Sequence, residues 1–144
     1  MFGVMHLFAY GSLLLPEVMQ AVTGRVFRFQ GATLRGYAEF RLRAAPQAAI
    51  IPFPDMATQG VVYYDVDAAS VRRLDAFGGG IYERVEVNAE AEDGEWVEAE
   101  AYVIHLKQLK LLTAKPWDED EFRRKHLRQV VQDAEEARRQ APKP

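Results

Sequence analysis

Two alternating runs, "IYERVEVNA" at residues 81 to 89 and "WVEAEAYVIH" at 96 to 105, flank the turn signal Glu92-Asp93-Gly94. Alternation of apolar and polar side chains is the period of a half-buried strand, and two such runs around a glycine-bearing turn make an antiparallel hairpin. The register follows from the faces, because a slip of one residue would turn an apolar set to water. Val85 and Val87 share a face with Val97, Ala99, Ala101 and Val103 only if the loop has an odd length. A three-residue loop with Gly94 in the left-handed conformation meets that condition. Val85 then stands opposite Ala101, and Glu83 opposite Val103.

The hairpin is entered from a helix. "DAASVRRLDAF" opens with Asp67 as an N-cap and repeats apolar residues at Val71, Leu74 and Phe77, a one-faced helical pattern for which Gly78 is the natural stop. Three glycines, Gly78 to Gly80, carry the chain from helix to strand. Glycine serves where backbone must turn at positive φ or where another group must come close. The other elements are shorter. "VMHLFAY" at 4 to 10 reads as a first strand broken by Gly11 and Ser12, and Pro16 opens a helix that Gly24 ends. Residues 25 to 43 suggest one or two curved strands bent at Gly31 and Gly36. Residues 48 to 66 read as a short strand, a loop controlled by Pro52 and Pro54, and a strand over 60 to 66. From Pro116 to about Arg139 the chain reads as one charged helix, anchored by Trp117 and Phe122, with an end that frays. Short strands with few helices give an α+β class, a strongly bent mixed sheet or small barrel.

A chain of 144 residues is one domain by size, with residues 1 to 115 as its body and 116 to 144 as a helix packed on it or extending from it. No run of ~18 apolar residues crosses a membrane, and the apolar start lacks the basic opening and cleavage site of a signal peptide. The expectation is a soluble, cytoplasmic protein. A net charge of -3 gives no reason to expect nucleic acid. With no cysteine, and with histidine only at 6, 105 and 126, neither a thiol nucleophile nor a metal cluster is visible.

A strand ending in Tyr10-Gly11-Ser12-Leu13 before a helix presents backbone N–H groups where glycine admits close approach, a concavity suited to a carboxylate. The same residues also serve simply to turn the chain. The order of "FAYGSLL", a proline-started helix, "GVVYYDV", "LDAFGGGIYERVEV" and the strand "AYVI" resembles the γ-glutamylcyclotransferase-like family across roughly residues 5 to 106. The resemblance implies a mixed β-barrel with flanking helices whose cavity holds a γ-glutamyl group. It also implies an activity: the substrate's own α-amine attacks the side-chain carbonyl, releasing an amine and 5-oxoproline without cofactor or metal. By the same resemblance Tyr10, Gly11, Ser12 and Leu13 would hold the substrate, and Tyr82 and Arg84 match the family's Tyr-x-Arg positions. The partner implied is a small γ-glutamyl or other carboxylate-bearing molecule, with no nucleic acid and no membrane.

One position departs from the pattern. The family's catalytic glutamate should follow Leu74-Asp75-Ala76-Phe77, and this chain has Gly78 there. Glycine cannot carry a proton, and losing a general acid/base typically costs ~10²- to 10⁴-fold in rate. Glu83 is the candidate substitute, on a strand face where partial burial would raise its pKa. The competing readings are a silent carboxylate-binding domain of the same fold and an enzyme disarmed at residue 78. A weaker one assigns the charged C-terminal helix to protein interaction. Asp75, His6 and His105 have the right chemistry but read as structural, and Tyr63, Tyr64 and Tyr102 read as core aromatics that could also line a cavity.

Overall fold

The computed structural model describes residues 4 to 141. Five strands close into a barrel: β1 (Met5–Ala9), β2 (Phe29–Arg41), β3 (Ala48–Val66), β4 (Tyr82–Ala91) and β5 (Trp96–Ile104), in the order β1-β3-β2-β4-β5. Neighbours are antiparallel except at the closure, where β1 meets β5 in parallel and Leu7 pairs with Glu100. The mixed barrel expected from the sequence is present. So is the hairpin register, with Val85 opposite Ala101 and Glu83 opposite Val103. Gly94 sits at φ +90° in the turn.

Two helices follow the expected caps. In α1 (Pro16–Thr23) Pro16 stands in the first turn and Gly24 ends it at φ 77°. In α2 (Ala68–Gly78) the Asp67 side chain accepts the Ser70 N–H. The stop of α2 is not Gly78, however. Gly78 is the last helical residue, and Gly79, at φ 63° and ψ -147°, a conformation open essentially only to glycine, makes the exit.

The proline loop also differs from expectation. Residues 48 to 66 form one strand, 19 residues long, paired to β2 on both sides of an interruption. Tyr37 pairs with Pro52 and Arg35 with Ala57, so residues 53 to 56 bulge opposite the single Gly36. Gly36 takes φ 85° and Asp55 φ 69° there. Pro54 lies within the bulge, which leaves unpaired the N–H group that proline lacks, and Pro52 is the last ladder residue before it.

The C-terminal segment is two helices rather than one, α3 (Glu119–Lys125) and α4 (Leu127–Gln140), separated at His126. Phe122 is 1% exposed and packs against Trp117, whose indole N–H donates to the Pro46 carbonyl at 2.8 Å. Val130 and Ala134 of α4 join the cluster that holds Leu7, Val18 and Leu74. The far end, expected to fray, is tied to the body. Arg138 donates to the Ala21 carbonyl at 3.0 Å and lies against Gly24, tying the last turn of α4 to α1. A second cluster fills the barrel, with Phe8, Tyr10, Leu34, Ile50 and Val62 among its members. No helix among the described residues is long and apolar enough to cross a membrane.

Candidate active site

The chain leaves β1 at Ala9 and turns through a short 3-10 segment, Gly11–Leu14, before α1. Gly11 has φ 58°, a conformation in which a side chain is strained, and a Cβ there would lie 3.1 Å from the Ala48 Cβ. Both constraints select glycine. The first N–H groups of such a turn have no partner within it. Tyr63, fully buried in β3, donates its hydroxyl to the Leu13 carbonyl at 2.7 Å and fixes the loop from below.

Beside this loop lies a cavity of about 130 Å³, lined on one side by Phe8, Tyr10, Ser12, Leu13 and Ala48. The opposite side is formed by Leu74, Phe77 and Gly78 of α2 with Ile81, Tyr82 and Tyr102. Two motifs more than sixty residues apart in the chain thus face each other across one space. The cavity far exceeds the ~10 to 15 Å³ that one water needs.

Three tyrosines shape it. Tyr10 donates its hydroxyl to the Tyr102 carbonyl, and Tyr82 donates to the Ala48 carbonyl at 2.6 Å. Burial raises all three hydroxyls above the usual tyrosine range, Tyr10 further through Tyr82 and Glu39, and Tyr102 further through Asp75. They remain neutral donors at physiological pH. Tyr102 donates to Asp75 at 2.7 Å, and Arg84 grips the same carboxylate at 2.9 and 3.2 Å while reaching Glu100 at 2.6 Å. Asp75, Arg84 and Tyr102, with Gly78, Gly79 and Tyr82, line a second, neighbouring cavity of about 320 Å³. Arg84 is committed to two carboxylates and does not line the first cavity.

Position 78 admits a side chain only if the Tyr82 ring shifts. Its φ is not in the left-handed region, and a Cβ would meet the Tyr82 ring at 3.0 Å, which the ring must yield by a few tenths of an ångström. Glu83 does not fill the gap. It is exposed on β4, so the partial burial expected of it is missing: the covering elements leave that end of the strand face in solvent. No carboxylate is among the residues lining the cavity.

The remaining candidates have structural partners. His6 Nδ1 accepts the Asp65 N–H and His105 Nδ1 accepts the Lys107 N–H, each at 3.2 Å. Tyr64 stacks edge-on with His6 under the Arg28 guanidinium, away from the cavity. No group of three metal-ligating side chains occurs among the described residues.

Sequence reasoning missed Glu39. It lies on β2 opposite Ile50, on the face that packs with Phe8 and Tyr10 inside the barrel. Its Oε2 is shielded from solvent and has no hydrogen-bond partner. The Gly11 Cβ position is 3.6 Å from that oxygen. The carboxyl thus sits just behind the loop. Burial pushes its pKa up to about 7, against a smaller pull downward from the Gly11 N–H.

A closed five-stranded mixed barrel, a glycine loop after its first strand and a cavity against the end of α2 define a cyclotransferase-type barrel. A sequence model described as "Gamma-glutamyl cyclotransferase, AIG2-like" matches residues 7–135, and the chain belongs to that family. Among its relatives, Protein AIG2 C of Arabidopsis thaliana is 30% identical over 128 residues, covering 88% of this chain and 77% of that protein. AIG2-like protein A of the same plant is 28% identical over 127 residues, with the same shares covered. A solution structure of an Arabidopsis thaliana protein superposes with a TM-score of 0.69 at 27% identity, covering 96% of this chain and 86% of that one. A structure named "Gamma-glutamyl cyclotransferase" gives a TM-score of 0.67 at 19% identity, covering 94% and 79%, a likeness of fold.

Proposed function

We propose that the protein binds the γ-glutamyl end of a small amide in this cavity and cyclises it to 5-oxoproline with release of the amine. The observation that carries this reading is the meeting of the Tyr10–Leu13 loop with Gly78 and Tyr82 across one cavity. In the reaction the α-ammonium must lose a proton, the free amine attacks the γ-carbonyl carbon, and the carbonyl oxygen gathers negative charge. Backbone N–H groups of the loop suit that oxygen or the substrate carboxylate, each donor commonly contributing ~3 to 4 kcal/mol to an oxyanion. The hydroxyls of Tyr10, Tyr82 and Tyr102 already donate to Tyr102, Ala48 and Asp75, so they would offer the substrate aromatic walls and oxygen lone pairs. Ser12 and Leu13 would contact the glutamyl chain, while Arg84, paired with Asp75 and Glu100, would brace Tyr102 and the end of α2 rather than take the substrate's charge.

A second reading has its own observation. The cavity wall holds no carboxylate, which favours a domain that captures γ-glutamyl-like molecules without turning them over. One experiment separates the two: 5-oxoproline release and calorimetric binding measured on a panel of γ-glutamyl amines and dipeptides, for the native protein and Gly78→Glu. Release by the native protein supports the enzyme. Binding with release only from Gly78→Glu identifies a pocket that has kept its ligand and lost its chemistry. Neither binding nor release from either protein would sink both readings.

A further inference from the structure

Because the position expected to carry the catalytic carboxylate is Gly78, the reaction proposed above lacks a proton carrier on the cavity wall. Among the described residues, Glu39 Oε2 is the buried side-chain polar atom left with no partner. An unsatisfied buried carboxyl oxygen costs stability and persists where something else is gained. It stands behind a loop residue that has no side chain, and the neighbours of that residue, Tyr10 and Ser12, together with Ala48, line the cavity. We propose that Glu39 is the proton carrier of this barrel, working from β2 beneath the Gly11 loop in place of a residue at position 78. This inference rests on the γ-glutamyl reading of the cavity.

The step balances as follows. Glu39 is not on the cavity wall, so its carboxylate must come within hydrogen-bond reach of the bound α-ammonium past the side-chain-free Gly11, and there it takes one proton. The amine lone pair attacks the γ-carbonyl carbon, forming the ring N–C bond and a tetrahedral oxyanion. Glu39 then returns its proton to the leaving nitrogen, the exocyclic C–N bond breaks, and the oxyanion collapses to the lactam carbonyl. The second ring-nitrogen proton follows to the released amine, which leaves as an ammonium. No other reactant is needed. A carrier working both ways must be held near the operating pH, and the burial of Glu39 moves it to about 7. The groups near it suit the role. Tyr10 is neutral, and Arg41, two residues along β2, is committed to Glu121 at 2.8 Å.

The test uses 5-oxoproline release by the native protein, Glu39→Gln, Gly78→Glu and the double variant, with the kcat/KM profile from pH 5 to 9. The expected result is a ~10²- to 10⁴-fold fall in kcat for Glu39→Gln with little change in KM, and loss of the native rise in rate through pH 7. Gly78→Glu should restore activity to Glu39→Gln. A merely structural Glu39 would leave the shape of the pH profile unchanged. Native activity that survives Glu39→Gln overturns the proposal while leaving the γ-glutamyl reading intact, as does activity seen only when Gly78→Glu is present. Inactivity of both native and Gly78→Glu proteins removes the reading on which it stands. Should Glu39→Gln not fold, NMR titration of the native Glu39 carboxyl with 5-oxoproline as probe decides: a midpoint displaced by the bound product supports contact, and an unmoved midpoint overturns it.

Discussion

Glu39 makes a prediction about stability that needs no substrate. A carboxyl free in the unfolded chain titrates near 4.5, whereas burial holds Glu39 at about 7 in the fold. The native state therefore binds the proton more tightly than the unfolded state does, and stability falls as pH rises through that window. The full effect is present below about 4.5 and lost above about 7. Each tenfold difference in proton affinity is worth about 1.4 kcal/mol, so the total is about 3 kcal/mol, most of it lost between pH 5 and pH 8. Glu39→Gln cannot titrate. Urea unfolding of the native and variant proteins at both pH values gives a double difference in which every other titrating group cancels. The variant should gain about 2 to 3 kcal/mol on the native protein in going from pH 5 to pH 8. A double difference within about 0.5 kcal/mol of zero would refute the claim that this carboxyl is desolvated.

Three further outcomes follow from packing. Gly60→Ala would place a Cβ 2.2 Å from the Ala9 carbonyl oxygen, so it should cost about 3 kcal/mol or more in urea unfolding and loosen β1 from β3. Tyr10→Phe removes the donor to the Tyr102 carbonyl and should cost about 1 to 3 kcal/mol in thermal unfolding, with the fold intact by circular dichroism. Arg138→Ala frees the last turn of α4 from Ala21; amide exchange over residues 136 to 141 should accelerate while the barrel strands keep their protection.

The hairpin was legible because its faces leave one acceptable register, which depends only on nearby residues and the turn between them. The bulge at residues 53 to 56 was not, since Pro52 and Pro54 are local loop signals while the ladder that resumes at Ala57 is set by β2, some twenty residues upstream. The break at His126 carried no proline or glycine to announce it. In the site, the Tyr10–Leu13 loop and the Gly78 end of α2 were readable as motifs, and their meeting required the barrel. Glu39 hid in "GYAEFRLR", where apolar side chains alternate too weakly to assign a face. A signal did exist: its partner strand begins "AAII", and a run apolar on both faces implies that the facing strand is covered on both faces too. Glu83 failed for the converse reason. Its pairing partner was foreseeable, but exposure depends on what lies above the sheet.

The parallel contact between β1 and β5 is the shortest seam of the barrel, recorded by the single register pair Leu7 and Glu100. The Tyr10 hydroxyl reaches over it to the Tyr102 backbone, and the cavity touches both residues. A molecule seated there therefore acts as a clasp across the closure. Its affinity and the resistance of the barrel to springing open are two readings of one free energy, and ligands in a screen can be ranked by the heat the barrel withstands.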